Sequence, residues 1–181
     1  MKPEEEEQYR KKMLVLAADE IRARAKQLAA EAGGAQEAPR KPGKSMAKPV
    51  QPKFEDTQLH VFDLSASNEP VLVLTARAHM PSTGVAKESS ARPRGASELQ
   101  YILTLVTRED INGDFHKIFA NVTDTQHLDV LPQYDLIDAV DADGDGRGEL
   151  LFRQVSDAGS AYVVYRVIGD QLWPLFEGTP Q

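Results

Sequence analysis

From residue 59 onward the chain breaks into eight short runs rich in β-branched and aromatic residues, each bounded by turn-forming residues. This succession restricts it to an antiparallel, all-β body. The runs are 59–64, 71–78, 99–108, 115–122, 136–140, 149–155, 162–168 and 172–176. Ile111-Asn112-Gly113-Asp114 is a hairpin signature and Gly169-Asp170 a second tight turn, so neighbouring runs are expected to pair in a meander of about eight strands. Residues 79–98, rich in Ser, Pro, Gly and Ala, are expected to form a long mobile loop.

The first third of the chain reads differently. Residues 4–32 contain no Gly or Pro and are rich in Ala, Glu, Lys, Arg and Leu, which predicts a helix. Glu4 to Glu7 lie where the helix dipole is positive, and Gly33-Gly34 supply a stop. Leu14, Ala17, Ile21, Ala25 and Leu28 form a narrow stripe diluted by alanine, which predicts a solvated helix. Four heptads of strong a/d residues are missing, which argues against a coiled coil. Pro39, Pro42, Pro49 and Pro52 alternate with Arg40, Lys41, Lys44, Lys48 and Lys53 in a segment with little to bury, so it is expected to be an extended linker. The predicted organisation is a charged helix (1–34), a linker (35–56) and a β domain (57–181), with helix and body behaving as separate units.

Two internal echoes divide the body into four-stranded, blade-like units, 59–122 and 136–176. Gly113-Asp114-Phe115-His116-Lys117-Ile118-Phe119 returns loosely as Gly169-Asp170-Gln171-Leu172-Trp173-Pro174-Leu175-Phe176. Residues 62–72 lie over residues 140–150, with Ser65 and Ser67 where the second copy has Asp143 and Asp145.

Several function classes are excluded or disfavoured. The chain has no cysteine, so thiolate metal sites and cysteine nucleophiles are absent. His60, His79, His116 and His127 never fall two, three or four apart, and there is no nucleophile elbow, phosphate-binding glycine loop or HExxH. No segment has the length of apolar sequence that a membrane span needs, and none reads as a signal peptide. Residues 1–53 hold 12 Lys+Arg against 8 Asp+Glu, while residues 54–181 hold 9 against 20. A body this acidic repels phosphates and attracts cations, so nucleic acid is not an expected partner. Trp173, Phe176, Phe119, Phe152 and Tyr162 fall on the strand periodicity and are expected to fill the core, although a lone tryptophan such as Trp173 also suits a partner surface.

One motif carries chemistry. Asp141-Ala142-Asp143-Gly144-Asp145-Gly146-Arg147-Gly148-Glu149 puts acids at positions 1, 3, 5 and 9 of a loop between two strands. Calcium takes about six to eight hard oxygen ligands, and alternate residues of a tight loop can aim carboxylates at one centre. Gly144, Gly146 and Gly148 allow the positive φ angles that such a bend needs, and the Arg147 carbonyl is placed to add a ligand. The loop is not an EF-hand, which needs a bidentate acid at position 12, where this chain has Phe152. A solvated Asp/Gly turn, partly neutralised by Arg147, is the alternative.

The loop with its flanking strands resembles the FG-GAP and VCBS repeats, the blades of integrin-like β-propellers, whose calcium loop runs DxDxDGxxD or DxDxDGxxE. The resemblance is local to about residues 136–156. It implies side-chain ligands Asp141, Asp143, Asp145 and Glu149, a carbonyl ligand from Arg147, and bound Ca2+. Those families carry more repeats than the two found here, so either the two units pack as a sandwich or the chain associates with more sheet. The expected function is a non-catalytic, calcium-stabilised β module that binds a protein or polysaccharide or supports assembly, extracellularly or at the cell envelope. Competing expectations are a hydrolase-like enzyme using a carboxylate pair among Asp135, Asp138 and Glu149, and a structural appendage whose helix oligomerises.

Overall fold

The structure, a computed structural model, describes residues 2–32, 50–65, 67, 69–81 and 99–181. It contains α1 (Pro3–Ala32) and eight strands: β1 (Lys53–Phe62), β2 (Val71–His79), β3 (Gln100–Glu109), β4 (Phe115–Asp124), β5 (Gln133–Val140), β6 (Glu149–Ser156), β7 (Gly159–Ile168) and β8 (Gln171–Glu177). The strands form two four-stranded antiparallel meanders, β1-β2-β3-β4 and β5-β6-β7-β8. The all-β class and the division into two units are those expected from the sequence.

The two sheets stack face to face. Val71, Val73 and Val106 on the inner face of the first sheet pack against Leu150, Phe152, Val163 and Tyr165 on the inner face of the second. Phe152 is the largest fully buried side chain, with edge-on contacts to Tyr134 and Tyr165. The apolar positions give out along the strands: beyond Val73 the first sheet's inner face continues with Thr75 and Arg77. A cleft of about 870 Å³ opens there, lined by Thr75, Arg77, Thr104, Gln133 and Asp135.

Helix α1 corrects the expectation of a solvated, independent element. Met13, Ala17 and Ile21 are wholly buried against Leu72, Leu74, Leu103 and Leu105, on the first sheet's other face. Alanine contributes little apolar area, but it lets a helix approach a sheet closely, and the centre of this side of the sheet is a leucine-rich apolar cluster beside the buried Thr107, whose hydroxyl meets Met13 Sδ at 3.1 Å. The Tyr9 phenol donates to Glu109 Oε2 at 2.5 Å, which pushes its pKa up to about 12. Lys117 donates to Glu20 across the same contact. The layer order is therefore helix, first sheet, second sheet.

A second correction concerns the linker. Strand β1 begins at Lys53, inside the segment expected to extend to residue 56, because Lys53 and Phe54 pair with His79 and Ala78. The rest of the expected linker up to residue 49, and residues 82–98 of the expected mobile loop, lie outside the described residues.

The internal repeat appears in the pairing register. Phe62 pairs with Val71 and Val140 with Glu149, so residues 63–70 and 141–148 bridge equivalent ends of equivalent hairpins. Val73 pairs with Val106 as Leu151 pairs with Val164, and Val106 pairs with Phe119 as Val164 pairs with Phe176. Even the irregularities coincide. The register slips between Val106 and Thr107 in one unit and between Val164 and Tyr165 in the other.

Candidate metal centre

The loop joining β5 to β6 is folded by its own carboxylates. Asp141 accepts hydrogen bonds from the amides of Gly144 at 2.7 Å and Gly146 at 3.0 Å. Asp143 accepts from the Asp145 amide at 3.3 Å, and Asp145 from the Arg147 amide at 2.9 Å. Gly144 and Gly146 have φ of +78° and +83°, conformations that L side chains rarely adopt. Gly148 serves a different purpose from the one expected. Its φ is not positive, but its amide donates to the Leu64 carbonyl at 2.7 Å, and an added Cβ would lie 3.0 Å from the Leu64 side chain. That contact ties the loop to its counterpart in the first unit.

Three of the expected ligands converge. Asp141, Asp143 and Glu149 each offer one carboxylate oxygen, all within 4.8 Å of one another. Oxygens about 2.3 to 2.6 Å from a common ion can be separated by up to about 5 Å, so the spacing suits calcium. Glu149 is fully buried, and its Oε2 accepts from the Ala142 amide at 2.8 Å. Asp145 lies outside that group of three. Arg147 is exposed, and among the described residues it makes no ion pair.

The neutralising cation is Arg166 on β7, a residue that the sequence pattern did not single out. Its Nη2 lies 2.6 Å from Glu149 Oε1, 2.8 Å from Asp143 Oδ2 and 3.2 Å from Asp145 Oδ2. Its Nε donates to the same Glu149 oxygen at 2.9 Å. These bonds hold the guanidinium pKa above its ordinary value, first through Glu149 and then through Asp143, and the Asp143 carboxyl is held below its ordinary range by Arg166. One guanidinium against four carboxylates leaves the loop negative. The signal was in the register: Leu72 pairs with Thr107 and Leu150 with Tyr165, so Arg108 and Arg166 hold the same place one residue further along β3 and β7. In the first unit, where serines replace the acids, Arg108 turns instead to Glu69 at 2.7 Å and across to Asp170 of the second unit at 2.8 Å.

A divalent ion placed in this loop would compete with Arg166 for the same oxygens. Replacing Arg166 by Gln should therefore raise calcium affinity by roughly ten-fold, the effect of removing one positive charge about 5 Å from a divalent ion in a water-like dielectric. Isothermal titration calorimetry reads this directly; equal or weaker binding would show that the arginine organises the loop for the ion.

The three acids weighed as a catalytic pair are engaged separately. Asp135 pairs with Arg153 at 3.0 Å, Asp138 accepts from the Ala139 amide, and Glu149 is held by Arg166.

The fold and the loop together define an all-β protein of two stacked four-stranded meanders, capped on one side by a helix and carrying a carboxylate cluster where β5 turns into β6. Compared with family models, curated proteins and solved structures, the chain matches none.

Proposed function

We propose that the loop formed by residues 141–149 binds calcium, and that the protein is a non-catalytic β module whose bound ion stiffens the surface it presents to a protein or polysaccharide partner. The observation that carries this reading is the convergence of Asp141, Asp143 and Glu149 within 4.8 Å in a loop that one arginine leaves negatively charged. Asp141, Asp143, Asp145 and Glu149 would supply side-chain ligands and Arg147 a carbonyl. The ion would supply positive charge, acting as a clip between β5 and β6. Because such loops suit calcium at extracellular, millimolar levels, an extracellular or envelope setting fits the proposal best.

Thermal melting tests it. With a Kd of about 0.1 mM, 1 mM calcium adds about 1.4 kcal/mol of stability, a rise in Tm of roughly 3 to 6 °C over the chelated protein. Asp143→Ala should abolish the rise and leave the chelated Tm within about 2 °C. A wild-type Tm indifferent to millimolar calcium refutes the proposal.

A further inference from the structure

Among the described residues, the second sheet buries one face and leaves much of the other exposed. Tyr162, Trp173 and Phe176 are 54%, 59% and 56% exposed, which corrects the expectation that they fill the core. All three project from the face opposite Leu150 and Phe152. Tyr162 alternates with the buried Ala161 and Val163, Trp173 stands opposite Arg166, and Phe176 stands opposite Val164. The repeat shows what this face corresponds to. Val73, Val106 and Phe119 of the first sheet lie beneath the second sheet; of their counterparts, Leu151 and Val164 are half-buried and Phe176 is exposed, and among the described residues no further layer lies over them.

We propose that this face is covered by the same face of a second copy of the chain. The stack has one closed end and one open end, because α1 covers the first sheet's far side. Head-to-tail stacking would require α1 to leave Leu72, Leu74, Leu103 and Leu105, and it would still leave one bare sheet. Two copies joined face to face about a two-fold axis leave none, which is the closed arrangement that symmetric dimers adopt. Four strands about 4.8 Å apart and about eight residues long offer roughly 500 Å² per copy, or about 1,000 Å² in all, the lower bound for a specific interface.

Trp173 is the chain's single tryptophan and lies on this exposed face, on the edge strand β8, so it reports burial of the face directly. Sedimentation equilibrium and tryptophan emission are measured on the full chain up to about 100 μM, an upper range for association through so small an interface, in calcium and in chelator. The expected result is a mass rising from 20.0 kDa toward twice that value, with a parallel blue shift of emission. Tyr162→Arg, which keeps the reporter, should weaken association roughly thirty-fold or more. Ile111→Arg, on the exposed β3-β4 turn, should leave it unchanged, and circular dichroism confirms that both variants are folded. A wild type that stays at 20.0 kDa with solvent-exposed emission overturns the proposal, as does association that survives Tyr162→Arg. A monomer whose emission shifts only on adding soluble polysaccharide assigns the face to a ligand and equally overturns it. The association does not depend on the ion, so its failure is separable from failure of the calcium proposal.

Discussion

Ile21→Asp should cost about 4 kcal/mol or more, because it puts a carboxylate at a wholly buried site in the apolar cluster that holds Leu72, Leu74 and Leu105. Domains of this kind have about 5 to 15 kcal/mol to lose, so a large part of the stability goes with one side chain on α1. Urea denaturation read by circular dichroism checks it: the midpoint should fall far below that of the wild type. A helix free in solvent would show a change within about 0.5 kcal/mol at this position. Binding of a hydrophobic dye adds a second readout, since a detached α1 uncovers the outer leucines of the first sheet. Unchanged denaturation together with absent dye binding would return α1 to the status of a tethered appendage.

Phe152→Ala should cost about 3 to 5 kcal/mol, the range for emptying a fully buried aromatic site. Phe152 sits where the two sheets meet, against Tyr134 and Tyr165, which are themselves held by other contacts and cannot collapse fully into the gap. At this chain length the loss corresponds to a drop in Tm of roughly 6 to 20 °C by scanning calorimetry. Trp173→Ala, made on the bare face of the same sheet, should leave the monomer within about 0.5 kcal/mol. If the two substitutions had equal effects on the dilute monomer, the division of the second sheet into a buried and an open face would be wrong.

The strands were legible because each is a short apolar run closed by a strong turn signal. The pairing of β3 with β4 follows from the Asn112-Gly113 turn and the alternation around it. The four-plus-four division was legible from the echo of residues 62–72 in residues 140–150, which the pairing of Phe62 with Val71 and Val140 with Glu149 reproduces. In the acidic loop, local spacing was enough to bring Asp141, Asp143 and Glu149 together, since all three lie within one turn and its first strand residue. Arg166 was hidden because it lies 17 residues beyond Glu149, and only pairing between β6 and β7 puts it there. The place of Trp173, Phe176 and Tyr162 was also hidden: strand alternation assigns them to one face without saying which face is covered.

Sequence by itself determined the local elements, the repeat and the acidic bend, because turn chemistry, strand alternation and loop spacing act over a few residues. Tertiary structure alone decided which faces are dry. The alanine-rich stripe of α1 is buried because the first sheet presents a mostly apolar, leucine-rich face to it. An aromatic row on the second sheet is exposed because, among the described residues, no layer of the chain lies over it. Burial depends on what lies opposite a side chain, and that is set by how the layers stack.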